Sequence, residues 1–323
     1  MSEPDSRLLP LDEIRAAAAR IEPFVARTPI VGMTPSGLRL KAESLHPVGA
    51  FKLRGAFNAI LSLSDAERTR GVVAHSSGNH AQAVAYAGYR LGVKTAVVMP
   101  GGAPRVKLDA TRSWGAEIHL VDHAGRERAS KCAELAAARG LTVIEPYDSL
   151  AIMAGTGTIG LEILAQCDGV SHVFVPVSGG GLIGGVSAAI ARSGRDIRVI
   201  GVEPEFAADA RESFREARIV RVEPELTQRT IADGLRVPQL GALPFAHIRA
   251  FVHDIVTVSE NQIRDVMRRI AREARLVAEP SGAVAIAGAL TYGGDLAASV
   301  AVLSGGNVDP ETYATIIAEK DPR

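Results

Sequence analysis

The stretch HVFVPVSGGGLIGG, residues 172–185, indicates the fold class of this chain. A short apolar run rich in β-branched residues is followed directly by a glycine-rich turn and then by an apolar helical pattern. This order predicts a buried strand of a parallel sheet whose next helix begins at the glycines. Glycines at a helix N-terminus let the backbone approach a ligand closely, and the helix dipole there stabilises an anion such as phosphate.

The alternation of strand and helix patterns extends outward in both directions. Buried strands are predicted at VVAHSS from Val72, TAVVMP from Thr95, EIHLV from Glu117 and RVIGVE from Arg198. Helices ended by glycine are predicted over 79–92, 103–115 and 125–140. We therefore expect an α/β protein with open, mostly parallel twisted sheets flanked by helices.

The length of 323 residues suggests two domains. The strand and helix units from residue 71 onward form a compact block, and the helix predicted over 149–166 returns the chain to the rest. We expect a large domain made of residues 1–70 and 149–323, with a small, mobile domain inserted at 71–148.

The composition excludes several classes of protein. Lysine plus arginine equals aspartate plus glutamate, at 36 each, so there is no basic footprint for nucleic acid or an acidic membrane surface. Two cysteines, Cys132 and Cys167, give neither a disulfide framework nor a zinc spacing. Because neither a signal peptide nor an apolar run of bilayer length is apparent, we expect a cytoplasmic protein without nucleic-acid or membrane partners.

Three further loops follow predicted strands and carry small or polar residues. The loop GAFKLRG opens a helix with Lys52, where the positive end of the helix dipole favours a neutral amine. The loop SSGNH at 76–80 has the form of an anion nest, although helix capping by Ser77 or Asn79 explains its composition equally well. LSGGN at 303–307 is another glycine turn. Ligands of parallel sheets bind at the carboxyl ends of strands, where these loops lie.

The glycine run near residue 180 also fits the G-x-G-x-x-G pattern through Gly179, Gly181 and Gly184. Glu203 closes the next strand, at the place of a ribose-binding acid. Taken alone, this loop favours an NAD-dependent dehydrogenase. A non-catalytic protein that binds an amino acid or phosphate is the alternative outside the enzymes.

Together, the four loops resemble the fold-type II pyridoxal-5′-phosphate (PLP) enzymes, in the branch of threonine/serine dehydratases (ammonia-lyases) and serine racemases. Six motifs occur in the order of the family: GAFKLRGA, SSGNHAQ, AGTGTIGLEI, SGGGLIGG, TIADGL and LSGGN. This order favours PLP over NAD. The resemblance implies elimination of water and ammonia from L-threonine or L-serine to give a 2-keto acid. A serine racemase, a bifunctional racemase/dehydratase and a 3-hydroxyaspartate dehydratase are the alternatives.

The resemblance also implies roles for individual residues. Lys52 matches the catalytic lysine that binds PLP covalently, and Ser77 matches the second catalytic position, which reprotonates the α-carbon in serine racemase. The other cofactor positions are Phe51 beside the ring, Asn79 at the phenolic oxygen, Ser304 at the pyridine nitrogen, and Ser178, Gly179, Gly180, Gly181 and Leu182 at the phosphate. In the lysine loop the family often has serine where this chain has Ala50.

The substrate and metal positions follow from the same resemblance. The substrate carboxylate is expected at Ser76, Ser77, Asn79 and His80, a second carboxylate at Arg126, and Tyr147 is expected to shape the pocket. Glu203, Ala207 and Asp209 match a site for Mg²⁺, Mn²⁺ or Ca²⁺, although acidic residues at a helix N-terminus have a structural explanation too. A homodimer is usual in the family.

Overall fold

The computed structural model describes residues 8–76, 78–103, 105–122 and 127–319, without the side chain of Val106. The strands are β1 (Ile30–Gly32), β2 (Arg39–Ala42), β3 (Val72–His75), β4 (Thr95–Pro100), β5 (Glu117–Val121), β6 (Thr142–Val143), β7 (His172–Pro176), β8 (Arg198–Pro204), β9 (Asp254–Val258) and β10 (Ser299–Leu303). The α-helices are α1 (Leu11–Ile21), α2 (Lys52–Leu61), α3 (Asp65–Arg70), α4 (Asn79–Leu91), α5 (Arg105–Ser113), α6 (Arg128–Arg139), α7 (Leu150–Gln166), α8 (Gly181–Ala191), α9 (Asp209–Glu216), α10 (Pro224–Thr227), α11 (Ala242–Phe251), α12 (Glu260–Arg269), α13 (Pro280–Tyr292) and α14 (Pro310–Ala318).

The strands form two sheets. A six-stranded sheet has the order β1-β2-β10-β7-β8-β9, and a four-stranded sheet has the order β5-β4-β3-β6. The β1–β2 pair is antiparallel and the other neighbouring pairs are parallel. This architecture confirms the predicted class. All strands of the smaller sheet lie within residues 72–143, and the division into an inserted, mobile domain at 71–148 stays a prediction.

The predicted strands and helices agree with the observed elements, with one correction. Strands β3, β4, β7 and β8 and helices α4, α5 and α6 lie where the sequence patterns place them. Strand β5 is not buried as predicted, because it is the edge strand of the four-stranded sheet, with Glu117 and Leu120 exposed. An edge strand has a neighbour on one side only, so part of its surface faces solvent.

Helices cover both faces of the six-stranded sheet because successive strand residues point to opposite sides. Val173 and Val175 of β7 pack with the apolar sides of α7, α8 and α11, while Phe174 packs on the other face with α12 and α13. Burial of apolar surface on both sides holds these layers together. The longest described helix, α7, has 17 residues, and none of the described helices is long and apolar enough to cross a membrane.

The motif AGTGTIGLEI lies on α7, where its glycines permit close helix packing. A β-carbon on Gly155 would lie 2.5 Å from the main-chain oxygen of Arg54 on α2. On the facing helix α8, a β-carbon on Gly185 would lie 2.2 Å from the main-chain oxygen of Met153. These contacts fix α2, which begins with Lys52, and α8, which begins in the glycine run, against the same central helix.

Candidate active site

Loops from the carboxyl ends of both sheets meet at one place. The main-chain N–H of Phe51 donates to the Ser304 carbonyl at 3.0 Å, which joins the lysine loop to LSGGN. Asn307 Nδ2 donates to Asn79 Oδ1 at 2.9 Å, which joins LSGGN to the loop after β3. Three of the four loops singled out in the sequence are therefore in direct contact.

Lys52 is the first residue of α2, and its amine lies inside this group of loops. Lys52 Nζ donates to the Pro146 carbonyl at 2.7 Å, and burial lowers the pKa of Lys52 to about 8. A neutral amine is the form that adds to an aldehyde. The sequence pattern predicts a neutral amine because of the helix dipole, but the cause of the lowered pKa in the structure is burial.

Tyr147 connects the lysine to the glycine run. A β-carbon on Gly179 would lie 2.4 Å from Tyr147 Cγ, and one on Gly181 would lie 2.9 Å from Tyr147 Cα. Since Pro146 holds the Lys52 amine and Tyr147 packs on the glycines, Lys52 and the glycine run contact neighbouring residues of one segment. The role of Tyr147 in shaping the pocket stays a prediction.

The glycine run fits a phosphate group. Gly180 precedes α8 with φ +91°, a conformation that favours glycine. The first N–H groups of α8 have no acceptor within the helix, so they are available to an anion. Ser178 Oγ is buried without a hydrogen-bond partner among the described residues. This buried hydroxyl and the first N–H groups of α8 are hydrogen-bond donors that fit the oxygens of a phosphate group.

Phe51 and Ser304 lie in the same group of loops as the lysine, and their main chains are hydrogen-bonded to each other. The Phe51 ring centroid is 5.1 Å from Lys52 Nζ. Ser304 is buried directly after β10, and among the described residues its hydroxyl has only a long contact of 3.5 Å, to the Ser281 carbonyl. This hydroxyl is therefore free to bond to a ring nitrogen. Leu182 is also buried, at the start of α8.

The loop after β3 presents main-chain donors rather than a side-chain cap. The N-cap residue of α4 is Gly78, which has no side-chain capping bond, and the Gly78 N–H donates to Ser76 Oγ at 3.1 Å. Capping by Asn79 is not observed, since Asn79 is the first residue of the helix. The N–H groups of Asn79 and His80 lie in the first turn, where a carboxylate binds well. Ser77 lies outside the described residues.

The His80 side chain is not available to a substrate carboxylate, so a contact of His80 with substrate would be made by its main-chain N–H. His80 is buried, its Nε2 bonds to the Ile144 carbonyl at 2.9 Å, and burial followed by the Lys52 charge lowers its pKa to about 3. The neutral ring has its proton on Nε2, so Nδ1 is an acceptor and does not bind a carboxylate. The side chain braces the start of α4 against the segment after β6.

The sequence reasoning missed three charged residues at this place. Lys107 Nζ is 3.5 Å from the position of a β-carbon on Gly78 and pairs with Asp233 at 2.5 Å. Glu279 is buried and accepts from Asn79 Nδ2 at 2.6 Å. For Glu279, the signal in the sequence is a single charged residue within the mostly apolar segment LVAEPSGAVAIAG.

Arg128 is a fourth charged residue that the sequence reasoning missed. The predicted Arg126 lies outside the described residues, but Arg128, two positions later, is half-buried and burial lowers its pKa. Its charge also lowers the pKa of His75, after the effect of burial on that ring. Because His75 immediately precedes Ser76, Arg128 brings a positive charge close to the loop that is predicted to bind substrate.

The predicted metal residues form a buried acidic pair. Glu203 accepts from the main-chain N–H groups of Ala210 and Arg211 at 3.0 and 2.8 Å. Both carboxyl oxygens of Asp209 are buried without a partner among the described residues, and burial raises the pKa of Asp209 to about 8. Ala207, which lies between these two residues in the sequence, is also buried. No cluster of three or more His, Cys, Asp or Glu is present in the described ranges, so a cation there would also need carbonyl and water ligands.

The same contacts make the dinucleotide interpretation wrong. Glu203 is fully buried and both of its oxygens accept N–H groups at the start of α9. This carboxylate therefore lies inside the protein, where the hydroxyls of a ribose do not reach it. The glycines 179, 181 and 184 follow the dinucleotide pattern for reasons of helix packing and loop geometry.

A network of buried charges lies beneath α2. The guanidinium of Arg54 bonds to both oxygens of Glu43, at 2.7 and 2.9 Å, and to Glu162 at 2.7 Å. Lys41 Nζ also contacts Glu162, at 2.5 Å. Burial alone would raise the pKa of Glu43, but Arg54 and then His46 hold it well below its usual value. The network fixes the start of α2, and hence Lys52, relative to β2 and α7.

Comparisons with known proteins agree with this geometry. A family model described as pyridoxal-phosphate dependent enzyme matches residues 21–305. The L-threo-3-hydroxyaspartate ammonia-lyase of Saccharomyces cerevisiae is 39% identical, with 96% of each chain covered. A catabolic L-threonine dehydratase of Staphylococcus aureus is 36% identical, covering 97% of this chain and 93% of that one. The solved structure of maize serine racemase superposes with a TM-score of 0.89 at 36% identity, covering 94% of this chain and 95% of that one. This chain therefore belongs to the family of pyridoxal-phosphate-dependent enzymes, in the branch of the amino-acid ammonia-lyases and serine racemases.

Proposed function

We propose that this enzyme eliminates water and ammonia from a small β-hydroxy amino acid, L-threonine or L-serine, to give a 2-keto acid. The observation that carries the proposal is the position of Lys52. Its buried amine bonds to the Pro146 carbonyl, and the next residue, Tyr147, packs on the glycine run. This arrangement fits a cofactor that spans the distance from a lysine to a phosphate-binding helix N-terminus.

The residues divide the work of the reaction. Bound PLP supplies an electron sink for the α-carbon of the amino acid. The Lys52 amine, with a pKa of about 8, accepts and returns the α-proton near neutral pH. The first-turn N–H groups at Asn79 and His80 would orient the substrate carboxylate, and the Ser304 hydroxyl would hold the cofactor at its pyridine nitrogen. Unlike a carboxylate, a hydroxyl there would not keep a ring nitrogen protonated.

The direct test is an assay of 2-keto acid and ammonia with the holoenzyme across a panel of β-hydroxy amino acids of both configurations. Stoichiometric keto acid and ammonia from L-threonine or L-serine would support the proposal. Chiral analysis of the serine that remains after incubation with L-serine distinguishes a racemase from a lyase. D-serine that accumulates faster than pyruvate would overturn the assignment as a lyase.

L-threo-3-hydroxyaspartate is a second candidate substrate, because a positive charge lies near the loop that binds substrate. Arg128 is half-buried, and its charge lowers the pKa of His75, at the carboxyl end of β3, after the effect of burial on that ring. An arginine in this environment pairs well with a second carboxylate. The 39% identical relative is named for this substrate. We propose Arg128 for the role that the sequence argument gave to Arg126.

Replacement of Arg128 is expected to separate the two substrates. In Arg128→Ala, kcat/KM for L-threo-3-hydroxyaspartate should fall by about 10-fold or more, because one charge-assisted pair is lost. The value for L-threonine, which lacks the second carboxylate, should change little. Arg112→Ala is the matched control, since its side chain is 61% exposed on the neighbouring helix α5. Equal losses for both substrates would contradict a role in selectivity.

We also propose that Glu203, Ala207 and Asp209 bind a divalent cation such as Mg²⁺, Mn²⁺ or Ca²⁺. The support is the pair of Asp209 oxygens that are buried without a partner among the described residues. Carboxylate and carbonyl oxygens are hard ligands that these cations prefer.

The family resemblance further supports a cytoplasmic homodimer.

Addition of Mg²⁺ is expected to raise the melting temperature of the wild-type protein, because a cation that binds only the folded state stabilises it. The rise should be absent in Asp209→Asn, which removes a charged ligand. It should persist in Asp12→Asn, whose side chain is 91% exposed. Identical melting curves of the wild type with Mg²⁺ and with a chelator would contradict the site.

A further inference from the structure

Glu279 is a buried carboxylic acid beside the active site for which the roles assigned above give no function. Its side chain is 1% exposed. It stands at the N-cap of α13, ahead of Pro280, but its side chain makes no capping bond. Burying a carboxyl group is costly unless it is paired, so its presence requires another explanation than helix capping.

A chain of hydrogen bonds leads from the main chain to Glu279. Asn307 Nδ2 donates to the Val48 carbonyl at 2.7 Å and to Asn79 Oδ1 at 2.9 Å. Asn79 Nδ2 then donates to Glu279 Oε1 at 2.6 Å. The carbonyl of Val48 only accepts, so Asn307 must present its nitrogen, and Asn79 in turn must present its oxygen to Asn307. The polarity of the Asn79 amide is thereby determined.

We propose that Glu279 is a positioning residue, which holds the Asn79 amide in the orientation that directs its second N–H to the phenolic oxygen of PLP. Asn79 Nδ2 has two N–H groups, and the bond to Glu279 uses one of them. Asn307 fixes the amide from the oxygen side and Glu279 fixes it from the nitrogen side. This inference rests on the proposed function, because that function places PLP against Asn79.

The geometry of Gly305 supports the same role. A β-carbon on Gly305 would lie 2.0 Å from Glu279 Oε1 and 3.3 Å from Asn79 Nδ2. The glycine of LSGGN thus leaves space for the carboxyl group that contacts Asn79. The main chains are also joined, since the Glu279 N–H donates to the Gly305 carbonyl at 3.1 Å.

The electrostatic environment keeps Oε1 of Glu279 an acceptor. Burial raises the pKa of Glu279 to about 7. The charge of Lys107 lowers this pKa, and the charge of Asp233 raises it. Oε2 has no hydrogen-bond partner among the described residues. A proton taken up near neutral pH can therefore reside on Oε2, which leaves Oε1 to accept from Asn79 in both protonation states.

The test measures the affinity of the apo-protein for PLP and the visible absorption band of the bound cofactor. Glu279→Met removes the acceptor at similar length and should weaken PLP binding by about 10-fold or more, with a shifted band. Glu279→Gln retains an acceptor oxygen and should restore both properties nearly to those of the wild type. Wild-type affinity and an unshifted band in Glu279→Met would overturn the inference.

A double-variant cycle tests whether Glu279 acts through Asn79. Glu279→Met should weaken PLP binding in the wild-type background but should have little further effect in Asn79→Ala, because the amide is already absent. Equal losses in both backgrounds would mean that Glu279 acts independently of Asn79, and would overturn the inference.

Gly305→Ala provides an independent perturbation and should reproduce the shifted band of Glu279→Met, since its methyl group displaces the carboxyl group. Gly32→Ala is the control, because a β-carbon there would meet nothing within 4 Å. If Glu279→Met does not fold, Glu279→Asp replaces it, since it retracts the acceptor by one methylene and retains the charge. A wild-type band in Glu279→Asp would then overturn the inference.

The proposed function and this inference fail in different ways. If the wild-type apo-protein binds no PLP, or binds it without turnover of any β-hydroxy amino acid, the proposed function fails. If the wild type binds PLP and turns over substrate while the Glu279 variants behave like it, only the positioning role fails.

Discussion

Lys52→Ala is expected to abolish turnover, with a loss of more than about 10⁴-fold, and to remove the absorption band of the lysine-bound cofactor. The methyl group of alanine neither adds to an aldehyde nor moves the α-proton. The variant should still fold, because the amine makes a single hydrogen bond to the residues that the structure describes, to the Pro146 carbonyl. Absorption spectra of the purified protein and the keto-acid assay provide the two measurements.

Lys131→Ala is the matched control for this variant. Lys131 lies on α6 with a side chain 37% exposed and pairs with Glu134 at 2.7 Å. Its replacement should leave the spectrum and the turnover unchanged. A Lys52→Ala protein that keeps the band and the activity would contradict the assignment of the lysine.

Arg54→Met is expected to lower the free energy of unfolding by about 3–5 kcal/mol, because it leaves the buried carboxylate of Glu43 without its main partner. Arg54 and Glu43 are 1% and 0% exposed, and their two bonds are charge-assisted. Urea titration of the variant and the wild type measures the difference. The loss affects the segment that carries Lys52, so PLP binding should weaken as well.

Two further variants define this effect. Arg15→Met, in an ion pair whose arginine is 64% exposed, should change the free energy of unfolding by less than about 0.5 kcal/mol. Glu43→Met combined with Arg54→Met should recover part of the stability, since no unpaired carboxylate remains at Glu43. A loss below about 1 kcal/mol in Arg54→Met alone would show that the buried pair does not hold α2.

The elements that the sequence predicts well are those whose residues follow one simple pattern. The central residues of strands β7 and β8, 173–175 and 199–202, are apolar because helices cover both of their sides, and each strand is followed by a glycine or acidic loop. The glycine turns mark the starts of helices for a local reason, the close approach of backbone. The carboxyl ends of parallel strands then bring Lys52, Asn79 and Ser304 together without further information.

The parts that escaped prediction depend on contacts between distant segments. Arg54 reads as an ordinary residue of an amphipathic helix, and only its position between Glu43 and Glu162 shows that it is buried. Glu279 resembles the start of a helix, and its contact with Asn79 spans 200 positions in sequence. Strand β5, EIHLV, alternates polar and apolar residues, and its place at the edge of the sheet is a property of the topology.

The central claim is that Lys52 is the residue that binds the cofactor. Reduction of the holoenzyme with borohydride, followed by peptide mapping by mass spectrometry, tests it directly. The prediction is that the reduced cofactor is attached to the peptide containing residue 52 and to no other of the six lysines in the sequence. Attachment at another lysine, or a protein whose mass borohydride does not change in the presence of PLP, would contradict it.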